Sequence, residues 1–472
     1  MRLKQIWALG LCVIGHAALA ALPEAVTTAL KQVHVPESAV GIMVMPLDGG
    51  GALLEHNADT ALNPASTMKL VTTSAALDVL GPAFQWHTGL YTDGTIDGDM
   101  LKGNLYLKGG GDPSMTFERL WLMLRELKAR GVRHVTGDLV LDRRYFALPP
   151  VTADANFDDQ PERAYNVLPD ALQVGGKALR FDIESDAQHV SVRTEPTLDG
   201  VSVRSRFRIS NVPCDQWRAG WGKPEFETHG SALTVTLQGS FPRDCKQSRY
   251  LSVLDPVGYV DRLTRGLWAE LGGDIQGGTR QGAVPASGSL LADQASPALA
   301  SVIRDMNKWS LNTMARSLYL TLGAEHPLPD ADSATAAAAV IRGWLFSQAL
   351  VFPELTLENG SGLSRNERIS PRHMAQLIAH TAHSVYGPEL LASLPILGVD
   401  GTLQHRLTNT GLVGRGHLKT GTLDDSKALA GVLRDRAGRD WVVVAIVNHP
   451  RAEAAQGAMD RLMEWVWQGA TP

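Results

Sequence analysis

The sequence lacks the signatures of several large enzyme classes. None of the motifs G-x-S-x-G, H-E-x-x-H and G-x-x-x-x-G-K-[ST] occurs in its 472 residues. An α/β-hydrolase, a zinc protease of the zincin type and a P-loop nucleotidase would each carry one of them. Basic residues are not in excess either, because 44 Lys and Arg against 49 Asp and Glu give a formal net charge of −5. This balance argues against nucleic acid as a partner, and no metal site or cofactor is predicted.

Long apolar runs are also scarce, and the one at the amino terminus, residues 6–20, is too short to span a membrane. Two basic residues precede this run, and it ends in the A-x-A pattern of a cleavage site. A lipoprotein signal does not fit, because Leu11 before Cys12 is not a small residue. We therefore expect residues 1–20 to be a secretory signal peptide, cleaved after Ala20, and the mature protein to be exported without a stable membrane span.

Cysteine is the third scarcity, with three residues in the whole chain. Cleavage of the signal peptide would remove Cys12 and leave Cys214 and Cys245. An even pair in an oxidising compartment favours a disulfide that closes one loop. Two unpaired buried thiols are the alternative.

The periodicity of apolar residues predicts an α+β chain with an insert. A short helix, a strand and a second helix are expected in residues 21–85, where "VGIMVMPLDG" is the strand. Between about residues 166 and 254, short alternating segments such as "HVSVRT" and "ALTVTLQG" predict a small β-rich insert that contains both remaining cysteines. Helical periodicity then returns, and "DWVVVAIVNH" predicts a strand near the carboxyl terminus.

The stretch "NPASTMKLVTTSAAL" places Ser66 and Lys69 on one face at the start of a helix that is otherwise apolar or small. Exclusion of water by apolar neighbours would lower the lysine pKa, so that Lys69 could act as a general base toward the Ser66 hydroxyl. The motif S-x-x-K is weak by itself. Its ordinary interpretation is a serine N-cap followed by a solvated helix charge.

Two further triplets supply what a nucleophile and a base would need for acyl transfer. "NKWSLNTMAR" contains Ser310 and Asn312 at a predicted turn, where they could pass a proton to a leaving amine. "RGHLKTGTLDD" predicts a strand that starts at Lys419 and Thr420. Ordinary turn chemistry and a hairpin turn are the alternative interpretations of these triplets, each taken alone.

The predicted strand offers three functions in an acyl-transfer site. It could bind an extended peptide along its edge, and Lys419 with Thr420 could hold a terminal carboxylate. Gly421 leaves one edge of the strand without a Cβ. The backbone N–H groups of Thr422 and Ser66 could form an oxyanion hole.

The order S-x-x-K, S-x-N, K-T-G is typical of serine β-lactamases and penicillin-binding proteins. Together with "LKGNLYLKGGGDPS", "GDLVLDRRYF", "NGSGLSR" and "LPILGVDGTL", the three motifs make the chain resemble the D-alanyl-D-alanine carboxypeptidase/endopeptidase family, the class C low-molecular-weight penicillin-binding proteins. The resemblance covers nearly the whole mature chain. The long stretch between Ser66 and Ser310 fits a family in which extra domains are inserted there.

The resemblance implies an α+β fold: a penicillin-recognising (β-lactamase/transpeptidase-like) domain with an antiparallel sheet and helices, interrupted by large β-rich inserted domains. The predicted domains, in addition to the signal peptide, are a catalytic domain (21–90 and 285–472), an inserted domain II (91–165 and 250–284) and a nested β-rich insert (166–249). The family's disulfide-bearing insert resembles the region of Cys214 and Cys245. The implied location is the periplasm.

The resemblance also implies a role for each matched residue. Ser66 would be the acylated nucleophile, Lys69 its base, Ser310 and Asn312 the proton-relay and orienting pair, and Lys419 with Thr420 the carboxylate clamp. The implied partners are peptidoglycan stem peptides, whose terminal D-Ala or D-Ala–diaminopimelate crosslink would be cleaved, and β-lactams, which would acylate the same serine. No oligomeric state is predicted.

Family members read the diaminopimelate side chain with an acidic residue of the insert and an Arg after G-S-G-L-S. Arg365 matches this arginine, and Asp158 and Asp159 are approximate matches to the acid. Leu311 departs from the family pattern, which has a polar residue, commonly Asp, between the serine and the asparagine.

Two other functions remain open at the level of sequence. A serine β-lactamase would need a base for fast deacylation, and no E-x-x-L-N element stands where that base is expected. A catalytically weak cell-wall binding or scaffolding protein would not need the intact pairing of Ser66 with Lys69.

Overall fold

A computed structural model describes residues 21–148, 157–230 and 232–469. The predicted signal peptide lies outside the described residues. The α-helices in these ranges are α1 Glu24–Gln32, α2 Lys69–Val79, α3 Phe117–Ala129, α4 Pro256–Glu270, α5 Leu299–Trp309, α6 Asn312–Glu325, α7 Ser333–Ser347, α8 Pro371–His383, α9 Gly387–Ser393 and α10 Gln456–Trp467.

The β-strands follow the same chain order. They are β1 Val40–Pro46, β2 Leu54–His56, β3 His87–Thr92, β4 Thr95–Asp97, β5 Met100–Lys102, β6 Leu105–Lys108, β7 His134–Val135, β8 Leu139–Asp142, β9 Leu179–Ser185, β10 Val190–Glu195, β11 Val201–Ser210, β12 Glu225–His229, β13 Ala232–Pro242, β14 Lys246–Leu251, β15 Asp274–Ile275, β16 Thr279–Gln281, β17 Ser289–Ala295, β18 Gly416–Leu423, β19 Ser426–Arg434 and β20 Asp440–Asn448.

The largest apolar core lies on one face of an antiparallel sheet of strand order β18-β19-β20-β1-β2. One face of this catalytic sheet packs against helices that include α2, α5, α6 and α8. The other face packs against α1 and α10. Strands β19 and β20 are therefore apolar in their central residues, 428–433 and 441–447, because both of their faces are buried there. The sheet thus forms the middle layer between two layers of helices.

Two further sheets form the inserted region with α3 and α4. Their strand orders are β16-β8-β6-β3-β17 and β15-β7-β5-β4. Helix α3 buries Leu120, Met123, Leu124 and Leu127, which follow the helical period, and the side chain of Thr116 caps its first turn. The apolar face of α4 joins the same core.

Two three-stranded sheets, β10-β9-β14 and β11-β13-β12, make up the nested insert. Cys214 and Cys245 form a disulfide with a Cα–Cα distance of 5.5 Å, so the predicted pairing is confirmed. Around it lies a small cluster of Ile183, Trp217 and Phe241. Because so few apolar side chains are enclosed, this cluster depends on the covalent link more than the other cores do.

The domain boundaries remain predictions. Strand pairing nevertheless shows where the chain enters and leaves one sheet of the inserted region. Strand β3 pairs with β17, and both belong to a sheet of the inserted region. The chain therefore enters that region's sheet at His87, three residues before the predicted boundary at 90, and leaves it at Ala295, ten residues after the predicted boundary at 285. Among the described residues, no helix is both long enough and apolar enough to cross a membrane.

Candidate active site

Ser66 lies in a 3-10 turn, Ala65–Met68, that leads directly into α2. Ala65 has φ 46°, a left-handed conformation that costs a non-glycine residue about 1 kcal/mol. The Asn63 side chain holds this backbone, because its Oδ1 accepts from Ala65 N at 2.9 Å and its Nδ2 donates to Ser364 O at 2.8 Å. The half-buried Ser66 hydroxyl projects from this strained turn. The first nine residues of α2, which follows the turn, are all buried.

Lys69 is completely buried, so the solvated-charge interpretation of its position does not apply. Burial lowers the pKa of Lys69 well below its ordinary value of 10.5, because the charged form loses its hydration. The positive charge of Lys419 lowers this pKa further, and the negative charge of Glu367 raises it. The uncharged amine that the sequence pattern requires of a base is therefore accessible here.

The contacts of Lys69 Nζ also define the orientation of that amine. Nζ lies 2.7 Å from Asn312 Oδ1 and 2.5 Å from Ser361 O, and both oxygens can only accept. A neutral amine has two hydrogens, so these two acceptors take both of them. The nitrogen lone pair then faces the third neighbour, Ser66 Oγ, at 3.0 Å. This is the arrangement in which Lys69 can accept the Ser66 proton.

Ser310 and Asn312 lie at the junction of α5 and α6, at the turn that the sequence predicted. Ser310 has φ 59° and ends α5, and Asn312 begins α6. The left-handed residue reverses the chain so that the two side chains reach different partners. Asn312 contacts Lys69, and Ser310 Oγ accepts from Lys419 Nζ at 2.8 Å.

Lys419 lies in β18, the edge strand of the catalytic sheet. The prediction that a strand starts at Lys419 and Thr420 is wrong, because β18 begins three residues earlier, at Gly416, where its first residues pair with β19. Lys419 is fully buried, and burial lowers its pKa to about 7. Its Nζ also donates to Thr420 O at 2.8 Å.

Gly421 brings β18 against the Ser66 turn. A Cβ on this residue would lie 2.8 Å from Pro64 O and 3.0 Å from Ser66 N, so a side chain would push the strand away. The close approach places Thr422, the next residue of the strand and an exposed one, beside the Ser66 turn. The three motifs thus meet in one place, although their assigned roles stay predictions.

The segment 398–403, within the quoted "LPILGVDGTL", connects two of the motifs, and sequence reasoning assigned it no role. Lys308, two residues before Ser310, donates to Asp400 Oδ2 at 2.6 Å, and its own side chain is 6% exposed. Thr402 Oγ1 lies 2.9 Å from Thr420 Oγ1. Only the "DGTL" pattern could have drawn attention to it, because neither contact follows from local spacing.

Glu367 is a further feature of the site that the sequence did not predict. Its side chain is 0% exposed, although "SRNERIS" reads as a solvated loop. The carboxylate accepts backbone N–H groups from residues 358, 359, 360 and 362. Burial raises the pKa of Glu367, and these N–H groups oppose the rise.

Arg365, assigned to side-chain recognition, contacts the segment that immediately precedes Asp158 and Asp159. The Arg365 guanidinium lies 4.7 Å from the centroid of the Phe157 ring, one residue before Asp158. Asp158 accepts from the Tyr165 hydroxyl and from Asn166 Nδ2, so its carboxylate is used within its own loop. Asp159 is exposed and has φ 57°.

Leu311 occupies the N-cap position of α6, where it makes no side-chain capping bond. Its side chain is 39% exposed. The departure from the family pattern therefore removes a helix cap, and the leucine does not fill the buried contact between Lys69 and Asn312. Within the described part of the chain, no group of three or more His, Cys, Asp and Glu side chains could hold a metal ion.

The sequence profile of the D-Ala-D-Ala carboxypeptidase 3 (S13) family matches residues 22–468. The chain is 28% identical over 422 residues to the D-alanyl-D-alanine carboxypeptidase DacB of Haemophilus influenzae, with coverage of 88% of this chain and 86% of that one. It is also 28% identical over 468 residues to the D-alanyl-D-alanine carboxypeptidase of Actinomadura sp. (strain R39), with coverage of 95% and 86%.

Solved structures show the same fold. Two structures of penicillin binding protein 4 (dacB) from H. influenzae, one of them a complex with a β-lactam, cover 94% of this chain and 99% of their own. They are 24% identical to it, with TM-scores of 0.76 and 0.73. The predicted fold class, α+β with a β-lactamase/transpeptidase-like domain, is confirmed by this likeness.

Proposed function

Because the chain belongs to the D-Ala-D-Ala carboxypeptidase 3 (S13) family and is a serine peptidase, we propose that it cleaves the peptide bond after a D-Ala residue in peptidoglycan stem peptides. The bond is the D-Ala–D-Ala terminus in a carboxypeptidase reaction and the D-Ala–diaminopimelate crosslink in an endopeptidase reaction. The observation that carries the proposal is the 3.0 Å contact between the buried Lys69 Nζ and Ser66 Oγ.

Acylation begins with the Ser66 hydroxyl. Its proton moves to the Lys69 lone pair as Oγ attacks the carbonyl carbon of the D-Ala residue. The negative charge that develops on the carbonyl oxygen is stabilised by the N–H groups of Ser66 and Thr422, on the two sides of the close approach at Gly421. The cost of placing Lys69 in an apolar environment is offset here, because the buried amine is uncharged when the reaction starts.

The leaving amine must gain a proton before the C–N bond breaks. Ser310 is suited to deliver it, because its Oγ contacts Lys419 Nζ at 2.8 Å and Lys419 is the proton source behind it. Breaking the bond leaves an ester between Ser66 and the D-Ala acyl group. The proton taken from Ser66 passes on to Lys419, so that Lys69 is neutral and Lys419 charged again before deacylation. A water molecule then attacks the ester, Lys69 accepts the water proton, and Lys69 returns it to Ser66 Oγ as the ester bond breaks.

The carboxylate of the residue after the scissile bond binds at β18. Lys419 and Thr420 supply the charge and the hydroxyl, and Thr402 fixes the Thr420 side chain through their 2.9 Å contact. A terminal D-Ala and a crosslinked diaminopimelate both present a carboxylate at this position. The clamp therefore accommodates both reactions. β-Lactams carry a carboxylate next to the reactive amide and acylate Ser66 by the same route.

Export to the periplasm is part of the proposal. The amino-terminal signal pattern of residues 1–20 supports it, and so does the Cys214–Cys245 disulfide, because such bonds persist in oxidising compartments. Peptidoglycan, the proposed substrate, lies in that compartment. Western blotting of cell fractions, with detection of a mature chain that begins at Ala21, tests this part.

The acyl-enzyme is tested with a fluorescent penicillin. We expect one covalent adduct, which peptide mapping locates on Ser66, and no adduct on Ser66→Ala. An adduct-free wild-type protein that is correctly folded would contradict the proposed chemistry. Continuous rapid hydrolysis of the penicillin would instead indicate a serine β-lactamase.

The substrate is tested by digestion of purified muropeptides. Loss of D-Ala from pentapeptides indicates carboxypeptidase activity, and conversion of crosslinked dimers to monomers indicates endopeptidase activity. Either product supports the proposal when Ser66→Ala yields neither. Peptidoglycan binding that is equal in wild type and Ser66→Ala, with no product from either, would support a scaffolding protein.

A further inference from the structure

Glu367 is a fully buried carboxylate that has no role in the acylation steps described above. Burying a carboxylate is costly unless strong hydrogen bonds hold it. Its Oε1 accepts three successive backbone N–H groups, from Glu358 at 3.1 Å, Asn359 at 3.0 Å and Gly360 at 2.8 Å. Its Oε2 accepts from Gly362 N at 2.9 Å. Successive N–H groups that converge on one point form an anion-binding nest, here filled by a side chain of the same chain.

The nest determines the path of the chain between residues 358 and 362. Gly360 and Gly362 have φ 68° and 81°, so both adopt left-handed conformations that the nest requires. A Cβ on Gly362 would lie 1.9 Å from Ala65 O, which shows how closely this segment packs on the Ser66 turn. Thr72 of α2 donates to Gly360 O at 2.7 Å. The segment is thus held between the Glu367 carboxylate and the start of α2.

Ser361 is the one residue of the segment that contacts the base directly. Its carbonyl oxygen lies 2.5 Å from Lys69 Nζ. Asn359 Oδ1 holds Ser361 from the other side, through its N at 3.0 Å and its Oγ at 2.6 Å. Because this carbonyl takes one of the two amine hydrogens, its position decides whether the Lys69 lone pair faces Ser66.

Charge is the second link between Glu367 and the base. The groups that face Lys69 come from three elements: Lys419 from β18, Arg316 from α6, and Glu367 from the loop before α8. The first two disfavour a further positive charge at Lys69, and Glu367 favours it. Glu358, in the same loop as Glu367, acts on Arg316. The carboxylate therefore sits among basic groups whose mutual repulsion it reduces.

We propose that Glu367 is a positioning residue for Lys69. Its carboxylate holds residues 358–362 so that the Ser361 carbonyl directs the Lys69 lone pair toward Ser66, and its charge keeps the amine basic enough to accept the proton. This inference rests on the proposed function, because it assigns Glu367 a part in acylation of Ser66. No bond to Glu367 forms or breaks in the reaction.

The test is the pH dependence of the acylation rate constant for a fluorescent penicillin, measured for wild type, Glu367→Gln and Glu367→Asp. Glu367→Gln removes the charge, so we expect the acid limb to move to lower pH by about one unit and the plateau rate to fall about tenfold. Glu367→Asp keeps the charge and shortens the side chain. Its acid limb should stay at the wild-type pH while its plateau falls.

Arg316→Met supplies an opposite shift and a second, independent variant. Loss of this positive charge should move the acid limb to higher pH, because the charged form of Lys69 becomes easier to maintain. Asp435→Asn is the matched control, since Asp435 is also 0% exposed and accepts from the N–H groups of Ala437 and Arg439. It lies in the β19–β20 turn, and its loss should lower the thermal midpoint without moving the limb.

An acid limb of Glu367→Gln that coincides with the wild-type limb overturns the inference, as does an Arg316→Met limb that moves to lower pH or stays in place. If Glu367→Gln does not fold, the Arg316→Met and Glu367→Asp limbs decide the matter. A wild-type protein that forms no adduct at any pH would contradict the proposed function instead. The two failures are therefore distinguishable.

Discussion

The catalytic cleft, where the three motifs meet the Glu367 loop, buries its ionisable side chains, whereas the nested insert exposes its basic side chains. In the cleft, Lys69, Lys419 and Glu367 are all 0% exposed. In the insert, the basic side chains of β11 lie on its exposed positions, and the buried centre consists of aromatic and aliphatic residues beside a disulfide. In the cleft, burial of ionisable groups lowers the free energy of unfolding. In the insert, a covalent bond stabilises a small core.

Function and stability are located in different parts of this molecule. The three buried ionisable side chains of the cleft are held by segments far apart in sequence, so the cleft needs the large cores on both faces of the catalytic sheet. The two sheets of the insert are built from the consecutive strands β9 to β14, and its disulfide closes a sequence separation of 31 residues. Changes in the cleft should therefore reduce acylation with little loss of stability, and changes in the insert should do the reverse.

Replacement of the base should have the largest effect on acylation. Lys69→Met keeps the unbranched side chain as far as Cε and removes the amine, so we expect the rate of adduct formation with penicillin to fall about 10³-fold or more. The exchange removes a buried amine but leaves Asn312 Oδ1 and Ser361 O without their donor. These two effects oppose each other, so the thermal midpoint should change little. A rate within tenfold of wild type would show that another group accepts the Ser66 proton.

Lys419→Met should have the next largest effect. Loss of the charged partner for the substrate carboxylate should lower the acylation rate constant about 10²-fold at neutral pH. Because Lys419 has a pKa of about 7, it loses its charge as pH rises through that value. The difference from wild type should therefore shrink on the alkaline side.

The matched control is Lys177→Met in the inserted region. Burial also lowers the pKa of Lys177, and its Nζ donates to Leu254 O at 2.7 Å. We expect its acylation rate constant to equal that of wild type. A loss equal to that of Lys419→Met would mean that general destabilisation, and not the clamp, explains the effect.

Thr402→Val should have a smaller effect, because it removes one neutral hydrogen bond to Thr420. Such a bond contributes about 1 kcal/mol, which corresponds to a rate about fivefold lower. The loss should appear in KM for a peptide with a free carboxylate more than in kcat. Steady-state release of D-Ala from a pentapeptide measures both constants, and an unchanged KM would argue against a role for Thr402 in the clamp.

Removal of the disulfide should have the smallest effect on the acylation rate and the largest effect on the stability of the insert. A loop closed over a sequence separation of 31 residues gives a stabilisation of about 3–4 kcal/mol in the loop-closure description. In Cys214→Ser/Cys245→Ser we expect proteolysis of the insert at lower temperature and an acylation rate within twofold of wild type. A loss of acylation at a temperature where the insert is still folded would break the contrast.

The elements with strong local patterns could be predicted from the sequence. The alternation of "ALTVTLQG" and the helical period of α3 follow from burial of one face, and the order of three short motifs was enough to indicate the site. Ser66 and Lys69 are three residues apart, so their proximity follows from helix geometry alone. The disulfide followed from the cysteine count.

The residues that were missed depend on contacts between distant segments. Glu367 looks like a surface glutamate in its own sequence, and its burial follows only from the packing of residues 358–362 on the Ser66 turn. Thr402 contacts Thr420 of the edge strand β18, and the local sequence does not indicate which segment lies beside that strand. The start of β18 was misplaced for a related reason, because pairing with β19 extends the strand through residues with no strong alternation.

The proposed mechanism requires that Lys69 is uncharged, and Lys419 charged, when Lys69 accepts the Ser66 proton. The direct test is the pH dependence of wild-type acylation by a penicillin. Since neutral Lys69 increases with pH and charged Lys419 decreases above about pH 7, we expect a bell-shaped profile whose alkaline limb lies near neutrality. A rate that rises without a maximum up to the ordinary lysine pKa of 10.5 would contradict the account.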